Sequence, residues 1–511
     1  SFPTRRSSDL VFRMLLTKRR IVLLLVMAMS ASIAIFITTQ KTSGWSFSDY
    51  QKQKLTWLAC GGPFLCTDVT VPVNYENPGG ERMQLSLVKY PATNSKKRLG
   101  SLLVNPGGPG ASGVEYGYAA EYIVSKDILA AYDLIGFDPR GVGGSSAERC
   151  LTNSETDKLI EANGPPVDGL SMATLEKSSK TLADRCNEKL GDRLKFLGSV
   201  DVVRDMDLMR QVLGDEKLNF LGKSYGTYLG LVYASMFPKN VGRFVLDGVV
   251  DPKLSANELN KAQAVGFEIA LDAFLEDCLS KENCFFQGTI DAARAEVTKL
   301  QDIVAKKALS GKDGRPATAS IFVLAMVASL YDSETGWPKL NKALKDAYKG
   351  EGKRLFDLVD DYVVRDKKGR YPSNENEIAY IVNCIDRTDD ASPERLASDA
   401  KKFGSFAPHF GPYIAWSTLP CHYWPYQPVR PPVELNGNGA ADFIVIGTTR
   451  DPATPYSWAT EVTAKFASAF LITADGDGHT GHGRGSSCVD SAVDTYLLTG
   501  ELPKRPLRCA L

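Results

Sequence analysis

Between residues 45 and 252, short runs of apolar residues alternate with longer segments of mixed character. Four such runs end in Gly- or Asp-rich turns, in RLGSLLVNPGGPG, AYDLIGFDPRGVGGS, LNFLGKSYG and GRFVLDGVVDP. Short continuous apolar runs that alternate with helices are typical of strands in a buried, mostly parallel sheet. We therefore predict an α/β fold with a mostly parallel central sheet flanked by helices, in which ligands bind at the carboxyl ends of the strands.

From residue 253 to residue 438 the apolar positions change to a spacing of three and four residues. ANELNKAQAVGFEIALDAFLEDCL and TIDAARAEVTKLQDIVAKKAL have the pattern of amphipathic helices, and the block contains no convincing series of strands. Strand-like runs return in ADFIVIGTTRDPATP and SAFLITADGDGHT, within residues 439–511. The pattern predicts a core in two parts, 45–252 and 439–511, with a large, mostly helical cap, 253–438, inserted before the last strands.

Residues 1–44 have a different pattern and lie outside the predicted fold. Three basic residues, Lys18, Arg19 and Arg20, precede an uncharged run at 21–37 that also reaches the lower limit of membrane-spanning length. We interpret this segment as a signal peptide or a membrane anchor, and the residues before Met14 as an extension of the gene model. The protein is expected to be secreted or extracytoplasmic, with membrane attachment as the alternative to release.

Composition narrows the class of function. The 511 residues include 60 basic and 60 acidic side chains, so the formal net charge is zero and no nucleic-acid partner is expected. Ten cysteines, an even number in an exported chain, indicate disulfide bonds, whose pairing the sequence leaves open. Proximity along the chain favours Cys60 with Cys66, Cys278 with Cys284 and Cys488 with Cys509, and the set is completed by Cys150 with Cys186 and Cys384 with Cys421. No metal site is expected, because the chain has no C-x-x-C.

A candidate nucleophile follows the third of the early strands. Ser224 lies between two glycines in Gly222-Lys223-Ser224-Tyr225-Gly226, directly after an apolar run and before a helical pattern. Glycines two positions on either side of a serine allow a sharp, strained strand-to-helix turn to close, with the hydroxyl exposed at its tip. Because so short a pattern also occurs by chance, its meaning depends on partners elsewhere in the chain.

Only four histidines are available as the base for this serine. His479 lies in the Gly-rich segment ADGDGHTGHG directly after an apolar strand, and it is the predicted base. His482, three residues further along the same loop, is the alternative. His409 and His422 fall in aromatic surroundings within the helical block, so we interpret both as structural.

The base needs a carboxylate that fixes its tautomer and stabilises the imidazolium ion. Asp451 ends the strand DFIVIGTTR and is the predicted acid, with Asp247 in FVLDG as the competitor. The oxyanion needs two N–H donors. The first prediction is the amide of Tyr225, the residue after the nucleophile, and the second is the amide of Gly108 in the VNPGGPGASG turn.

Six segments of the chain stand in the order seen in secreted α/β-hydrolases of the tripeptidyl aminopeptidase family, which are relatives of the proline iminopeptidases. These segments are NPGGPGASG, DLIGFDPRGVGGS, LGKSYGTYLG, FVLDGVVDP, TTRDPATP and GDGHT with CVDSAVDTYLLTGELP. The chain resembles this family from about residue 45 to the C-terminus, and its order of Ser, Asp and His is that of α/β-hydrolases. The resemblance implies an α/β-hydrolase fold with a helical cap, a triad of Ser224, Asp451 and His479, and an oxyanion hole formed by Gly108 and Tyr225.

The resemblance implies an exported serine exopeptidase that removes short peptides or single residues from free N-termini without a metal or organic cofactor. One position departs from the iminopeptidases, which have His before their Gly-Gly-Pro-Gly turn where this chain has Asn105-Pro106. That departure weakens the carry-over of proline-specific activity. An esterase or lipase-like hydrolase with the same triad is the alternative function, and a catalytically inactive binding protein is a third.

An aminopeptidase must also meet the α-ammonium group of its substrate with an anion or a carbonyl dipole. Acidic residues of the cap are candidates, namely Asp386 in NCIDRTDD and Glu375 or Glu377 in SNENE, although a solvated loop charge is the more common role for any one of them. Four aromatic residues of the same block are interpreted as core rather than as pocket lining: Trp337, Trp416, Trp424 and Tyr380.

Overall fold

The computed structural model describes six stretches of the chain: 44–162, 164–166, 169–387, 389–430, 433–504 and 506–511. The predicted signal peptide or membrane anchor, apart from its last residue, lies outside these stretches. Within them, no helix has both the length and the apolar character that crossing a membrane requires.

Twelve strands are present in the described stretches, and ten of them form one sheet. In chain order the strands are β1 (Leu58–Ala59), β2 (Leu65–Pro72), β3 (Arg82–Tyr90), β4 (Gly100–Asn105), β5 (Tyr132–Phe137), β6 (Leu218–Lys223), β7 (Val241–Asp247), β8 (Leu309–Lys312), β9 (Arg315–Ala317), β10 (Phe443–Arg450), β11 (Ala469–Asp477) and β12 (Leu507–Ala510). The large sheet has the order β1-β2-β3-β5-β4-β6-β7-β10-β11-β12.

Parallel pairing dominates the sheet. Every neighbouring pair is parallel along the part of the sheet with the order β5-β4-β6-β7-β10-β11-β12. The remaining pairs, β1–β2, β2–β3 and β3–β5, are antiparallel. All six residues of β4 are buried, as expected for a strand covered on both faces. The prediction of an α/β fold with a mostly parallel central sheet is confirmed.

Helices cover both faces of the sheet and fill the segment between β7 and β10. They are α1 (Phe47–Gln51), α2 (Gly113–Tyr118), α3 (Ala120–Ile123), α4 (Lys126–Ala131), α5 (Asn153–Ala162), α6 (Gly169–Leu190), α7 (Ser199–Leu213), α8 (Tyr225–Met236), α9 (Ala256–Leu279), α10 (Ile290–Lys306), α11 (Ala319–Leu330), α12 (Gly336–Tyr348), α13 (Lys353–Tyr362), α14 (Glu375–Asp386), α15 (Pro393–Gly404), α16 (Gly411–Trp416), α17 (Leu419–His422), α18 (Tyr456–Lys465) and α19 (Ser487–Thr499). Three short 3-10 helices add Ser95–Lys97, Gly191–Phe196 and Pro238–Asn240.

Neighbouring residues of the central strands contribute to two separate cores. Leu103 and Phe220 pack into the cluster on one face, while Leu102 and Leu221 pack into the cluster on the other. Side chains alternate between the two faces along a strand, so an uninterrupted apolar run supplies both layers. This explains why the central strands show no apolar–polar alternation in the sequence.

The segment between β7 and β10 is mostly helical, as its pattern predicts, and most of a third cluster of buried side chains belongs to it, running from Phe267 to Phe410. A two-stranded hairpin, β8–β9, lies within the segment and was not predicted. Its turn places Asp313 at φ 58° and Gly314 at φ 77°, which is the conformation that an Asp-Gly pair favours in tight hairpins. The Asp-Gly pair therefore indicates a hairpin turn, but the helical periodicity of the segments on both sides led to a mostly helical prediction.

All ten cysteines are joined in disulfides, in the five pairs favoured by their positions along the chain. The bonds link Cys60–Cys66, Cys150–Cys186, Cys278–Cys284, Cys384–Cys421 and Cys488–Cys509. Disulfides at this density are consistent with an extracytoplasmic protein, because thiols of cytosolic proteins are kept reduced.

Candidate active site

Loops that follow parallel strands meet at the carboxyl edge of the sheet. Gly108 lies in the turn after β4, Ser224 follows β6, Asp247 ends β7, Asp451 follows β10 and His479 follows β11. Because these strands are parallel neighbours, the loops that leave their ends share one edge. The structure thus brings together residues that are as far apart as positions 108 and 479 in the chain.

The predicted strand-to-helix turn is present around Ser224. β6 ends immediately before this residue, α8 begins immediately after it, and its backbone has φ 52° and ψ −126°, which is strained for a residue with a side chain. A Cβ atom on Gly222 would lie 2.6 Å from the carbonyl oxygen of Gly226. A Cβ on Gly226 would lie 2.8 Å from the carbonyl oxygen of Asn105. Both flanking glycines are therefore required by close backbone approach.

A carboxylate and an imidazole pair next to this turn. Nδ1 of His479 lies 2.9 Å from each carboxylate oxygen of Asp451. The same carboxylate is buried and accepts hydrogen bonds from the amides of Ala453, Thr454 and Thr480 at 2.8–3.0 Å. Burial opposes ionisation of Asp451, but the imidazole and these amides outweigh it and hold the pKa of the carboxyl below its usual value. Asp451 is thus held as an anion against the imidazole.

The nucleophile candidate and the imidazole both lie against the end of β7. The amide of Ser224 donates to the carbonyl oxygen of Asp247 at 2.9 Å. The residue after Asp247 is Gly248, and a Cβ atom placed on it would lie 3.3 Å from Cε1 of His479. Within the described residues, Ser224 Oγ and His479 share no hydrogen bond. Bonds between a nucleophile and its base often tighten only when substrate is bound.

The alternative base and the alternative acid occupy other positions. The ring of His482 is buried, and burial together with the nearby Lys223 ammonium lowers its pKa to about 3. The carboxylate of Asp247 is also buried and accepts the amides of Gly481 and His482, at 2.8 and 3.0 Å. Asp247 therefore binds the backbone of the histidine loop, and the imidazole of His479 is left to Asp451.

The two histidines of the helical block are placed away from this edge. Nδ1 of His409 lies 2.8 Å from Oε2 of Glu268, and its Nε2 lies 3.0 Å from Oγ1 of Thr298, so both ring nitrogens have structural partners. The ring of His422 packs edge-on against Tyr423.

The Gly-rich turn after β4 lies directly against the serine turn. A Cβ atom on Gly107, which has φ 96°, would lie 2.5 Å from the carbonyl oxygen of Lys223 and 2.9 Å from the amide nitrogen of Tyr225. The side-chain oxygen of Asn105 accepts the amide of Gly107 at 2.9 Å, which fixes the start of the turn. Among the backbone hydrogen bonds of turns and caps in the described part of the chain, none is donated by the amide of Gly108 or by that of Tyr225. These amides are the two donors that the sequence predicts for an oxyanion.

One residue of the helical block contacts the histidine directly. The ring of Tyr331, which follows α11, packs edge-on against the ring of His479 with 5.2 Å between centroids. The carbonyl oxygen of Tyr331 also accepts the amide of His479 at 2.9 Å. The sequence analysis did not identify Tyr331, because the helix before it is mostly apolar and no local signal marks the residue that follows that helix.

Two of the three acidic candidates from the helical block are bound to backbone amides. The buried carboxylate of Glu377 accepts the amides of Cys150 and Leu151, at 2.5 and 3.3 Å. The carboxylate of Asp386 accepts the amide of Ser199 at 2.9 Å and also the hydroxyl of the same residue. Both carboxylates hold elements together and have their acceptor oxygens occupied.

Glu375, the third candidate, is placed differently. It opens α14, whose first turn packs on the Gly-rich turn so closely that a Cβ on Gly110 would lie 2.9 Å from the carbonyl oxygen of Glu375. Burial, and then the charge of Glu115 in α2, raise the pKa of the Glu375 carboxyl. Glu375 thus begins its helix beside the turn that carries Gly108, and the negative charge of Glu115 acts on its carboxyl.

Three of the four aromatic residues that were interpreted as core are buried, and the fourth is not. Trp337, Trp416 and Trp424 are buried, whereas Tyr380 is partly exposed. In the stretches that the structure describes, no cluster of three or more His, Cys, Asp or Glu side chains has a geometry that would hold a metal ion.

Comparison with known proteins identifies the family. The α/β hydrolase fold family matches residues 100–290, and the TAP-like protein family matches residues 407–509. Serine protease Hip1 of Mycobacterium tuberculosis is 33% identical over 479 residues, which cover 89% of this chain and 91% of the relative. Carboxylesterase B of the same species is 37% identical over 453 residues, with coverage of 87% and 86%.

A third relative links the chain to peptidases of Streptomyces. Tripeptidyl aminopeptidase of Streptomyces lividans is 32% identical over 458 residues, which cover 88% of this chain and 84% of the relative. Identity at this level over most of both chains, together with the sheet order and the strained serine turn, leads to one assignment. The chain belongs to the tripeptidyl aminopeptidase family of α/β-hydrolases.

Proposed function

We propose that the protein is an exported serine exopeptidase that releases short peptides or single residues from free N-termini. The observation that carries the proposal is the paired Asp451 carboxylate and His479 imidazole beside the strained turn that presents Ser224. The relatives named serine protease Hip1 and tripeptidyl aminopeptidase support a peptidase. The signal-like segment 1–44 and the five disulfides support export.

In the proposed reaction, Ser224 Oγ attacks the scissile carbonyl carbon while Nε2 of His479 takes the hydroxyl proton. Asp451, at Nδ1, fixes the tautomer and stabilises the imidazolium ion. The tetrahedral oxyanion accepts hydrogen bonds from the amides of Gly108 and Tyr225. The intermediate then collapses, and the leaving amine takes the proton from the imidazolium. Water, deprotonated by the same imidazole, hydrolyses the ester on Ser224 and releases the N-terminal fragment.

We further propose that residues 253–438 form the cap of this site and limit it to chain ends. Tyr331 of this segment packs on the base, and α14 packs on the Gly-rich turn, so the segment borders both halves of the reacting centre. We propose that Glu375, which begins α14, binds the α-ammonium group of the substrate. Its carboxyl is partly buried and lies near the charge of Glu115, so a bound ammonium ion would relieve repulsion as well as form an ion pair.

The proposal is tested with three substrates of the wild-type protein: a tripeptidyl amide with a free amine, its N-acetylated twin and a short-chain ester. We expect hydrolysis of the free-amine peptide, much weaker hydrolysis of the acetylated twin, and no hydrolysis above background by Ser224→Ala. Hydrolysis of the ester alone would contradict the exopeptidase assignment and favour an esterase, the function named for the relative carboxylesterase B. A folded protein that acts on none of the three would indicate a binding protein.

The Glu375→Gln variant tests the amine site. A charged hydrogen bond contributes about 1.5–3 kcal/mol, so kcat/KM for the free-amine peptide is expected to fall about 10–100-fold while ester hydrolysis is retained. Glu377→Gln is the matched control, because this carboxylate lies two residues away but binds the amides of Cys150 and Leu151. The control is expected to lower thermal stability and to keep the ratio of free-amine to acetylated substrate. An unchanged ratio in Glu375→Gln would refute the role of Glu375.

A further inference from the structure

Four successive backbone amides hold the loop that carries His479. The amide of His479 donates to the carbonyl oxygen of Tyr331, and the amide of Thr480 donates to Asp451 Oδ2 at 3.0 Å. The next two amides, of Gly481 and His482, donate to the two carboxylate oxygens of Asp247 at 2.8 and 3.0 Å. Half of the backbone bonds that fix this stretch therefore end on Asp247, a residue outside the proposed triad.

The loop needs such bonds because its backbone is strained. Thr480 has φ 67°, a conformation that is unfavourable for a β-branched residue. Strained conformations of this kind persist only where the surroundings fix them. Thr480 lies between His479 and the two amides bound to Asp247, so release of those amides would free the loop to relax and would move the imidazole.

Asp247 also holds the nucleophile turn. Its carbonyl oxygen accepts the amide of Ser224 at 2.9 Å, and in the sheet it pairs directly with Lys223, the residue before the nucleophile. Nζ of Lys223 donates to the carbonyl oxygen of His482 at 2.6 Å and lies 3.5 Å from Oδ2 of Asp247. Lys223 and Asp247 thus each contact the histidine loop; Lys223 immediately precedes the serine turn, and Asp247 pairs with Lys223 from the neighbouring strand.

The charges of this pair explain why both members are needed. The side chain of Asp247 has 0% of its surface exposed, and that of Lys223 has 17%. Burial raises the pKa of the Asp247 carboxyl, whereas the Lys223 ammonium and the amides of Gly481 and His482 oppose that shift. An unpaired buried carboxylate is costly. The ammonium and the two amides therefore all favour the ionised form of Asp247 over its protonated form.

We propose that Lys223 and Asp247 are positioning residues that fix the His479 loop and the Ser224 turn relative to each other. Neither residue is proposed to touch substrate, and the role rests on the proposed function of the site. The pair connects the two loops that carry nucleophile and base, whereas Ser224 and His479 share no hydrogen bond of their own within the described residues.

The test compares Asp247→Asn and Lys223→Met with wild type in ester and peptide hydrolysis. Displacement of a catalytic group by about 1 Å costs roughly 100-fold in rate, so we expect kcat to fall about 10–100-fold with KM changed less than about threefold. Lys223→Arg keeps the positive charge and the donors, and it is expected to recover most of kcat. Where Asp247→Asn fails to fold, the contrast between Lys223→Met and Lys223→Arg still gives the result.

Asp251→Asn is the matched control. Asp251 is buried, follows the same strand and pairs with Lys465, but among the described residues it forms no bond to the histidine loop. It is expected to lower thermal stability while keeping kcat within about threefold of wild type. The proposal would be overturned if the folded Asp247→Asn and Lys223→Met proteins had the same kcat as Asp251→Asn, whether that shared value is the wild-type value or a reduced one.

Hydrogen exchange of residues 479–483 separates failure of this inference from failure of the proposed function. Wild-type protein that hydrolyses neither substrate would contradict the function. The positioning role predicts faster exchange of these amides in Asp247→Asn and Lys223→Met than in Asp251→Asn. Unchanged protection of the loop in the first two variants would overturn the inference, whatever the activity of the wild type.

Discussion

Replacement of Gly107 by alanine tests how closely the Gly-rich turn must approach the nucleophile. The added Cβ would lie 2.5 Å from the carbonyl oxygen of Lys223 and 2.9 Å from both Cβ of Ser224 and the amide nitrogen of Tyr225. Close carbon–oxygen contacts are normally about 3.3 Å, so the turn must move by roughly 0.8 Å. Such a shift separates the amide of Gly108 from that of Tyr225, although both are proposed to bind one oxygen atom.

The size of the effect follows from that displacement. Misplacement by about 1 Å costs roughly 100-fold, and loss of one oxyanion donor costs about 100–1000-fold in kcat. We therefore expect kcat of Gly107→Ala to fall about 100-fold, or about 2.7 kcal/mol in activation free energy, with little change in KM. The assay is steady-state hydrolysis of the ester, which reports the acyl step without the amine site.

Gly214→Ala is the control for backbone strain. Gly214 also has a positive φ, of 81°, but a Cβ atom there would meet nothing within 4 Å. Both variants are expected to lose about 1–2 kcal/mol of stability, because alanine is strained in this conformation. Only Gly107→Ala is expected to lose kcat. Equal kcat values in the two folded variants would refute the proposed contact between the Gly-rich turn and the oxyanion hole.

Two further predictions concern stability. Removal of the Cys384–Cys421 disulfide by paired Ser substitutions is expected to lower the free energy of unfolding by about 4 kcal/mol, and removal of Cys60–Cys66 by about 2 kcal/mol, because the sequence separations are 37 and 6 residues. Chemical denaturation under oxidising conditions measures both losses. Equal losses would contradict the chain-entropy reasoning. Because the pKa of His482 is lowered to about 3 in the folded protein, its ring binds a proton at a higher pH in the unfolded chain than in the folded protein. Its contribution to stability is therefore present above pH 6.5 and is lost as the pH falls from 6.5 towards 3. Wild type should lose about 1.4 kcal/mol more per pH unit in that range than His482→Gln, and identical slopes would show that this ring is not held neutral.

The sequence predicted the parts of the site that depend on local pattern. Glycines at fixed spacing identified the turn at Ser224, and loops directly after apolar strands identified His479 and Asp451, because parallel strand ends lie at one edge of the sheet. The competition between Asp451 and Asp247 was harder to resolve, since both follow buried strands. In the structure, the ring of His479 contacts Asp451 and two backbone amides of the same loop bind Asp247, a difference that depends on the path of the loop.

Long-range packing decided what the sequence left open. Glu375, Glu377 and Asp386 are similar in sequence context, yet two of them bind amides from distant segments and one borders the Gly-rich turn. Tyr331 reaches His479 from more than a hundred residues away, and its helix gives no sign of that contact. Periodicity specifies which face of a helix is buried, but not which distant element covers it.

Covalent labelling of the nucleophile by a fluorophosphonate, which phosphonylates an activated serine with loss of fluoride, tests most directly whether Ser224 is the nucleophile that His479 activates. The protein is treated with a fluorophosphonate, digested and analysed by mass spectrometry, in parallel with the His479→Ala and His482→Gln variants. We predict one phosphonylated peptide, modified at Ser224, in wild type and His482→Gln, and labelling at least about 1000-fold slower in His479→Ala. Modification of another residue, or equal labelling rates in wild type and His479→Ala, would contradict the proposed catalytic site.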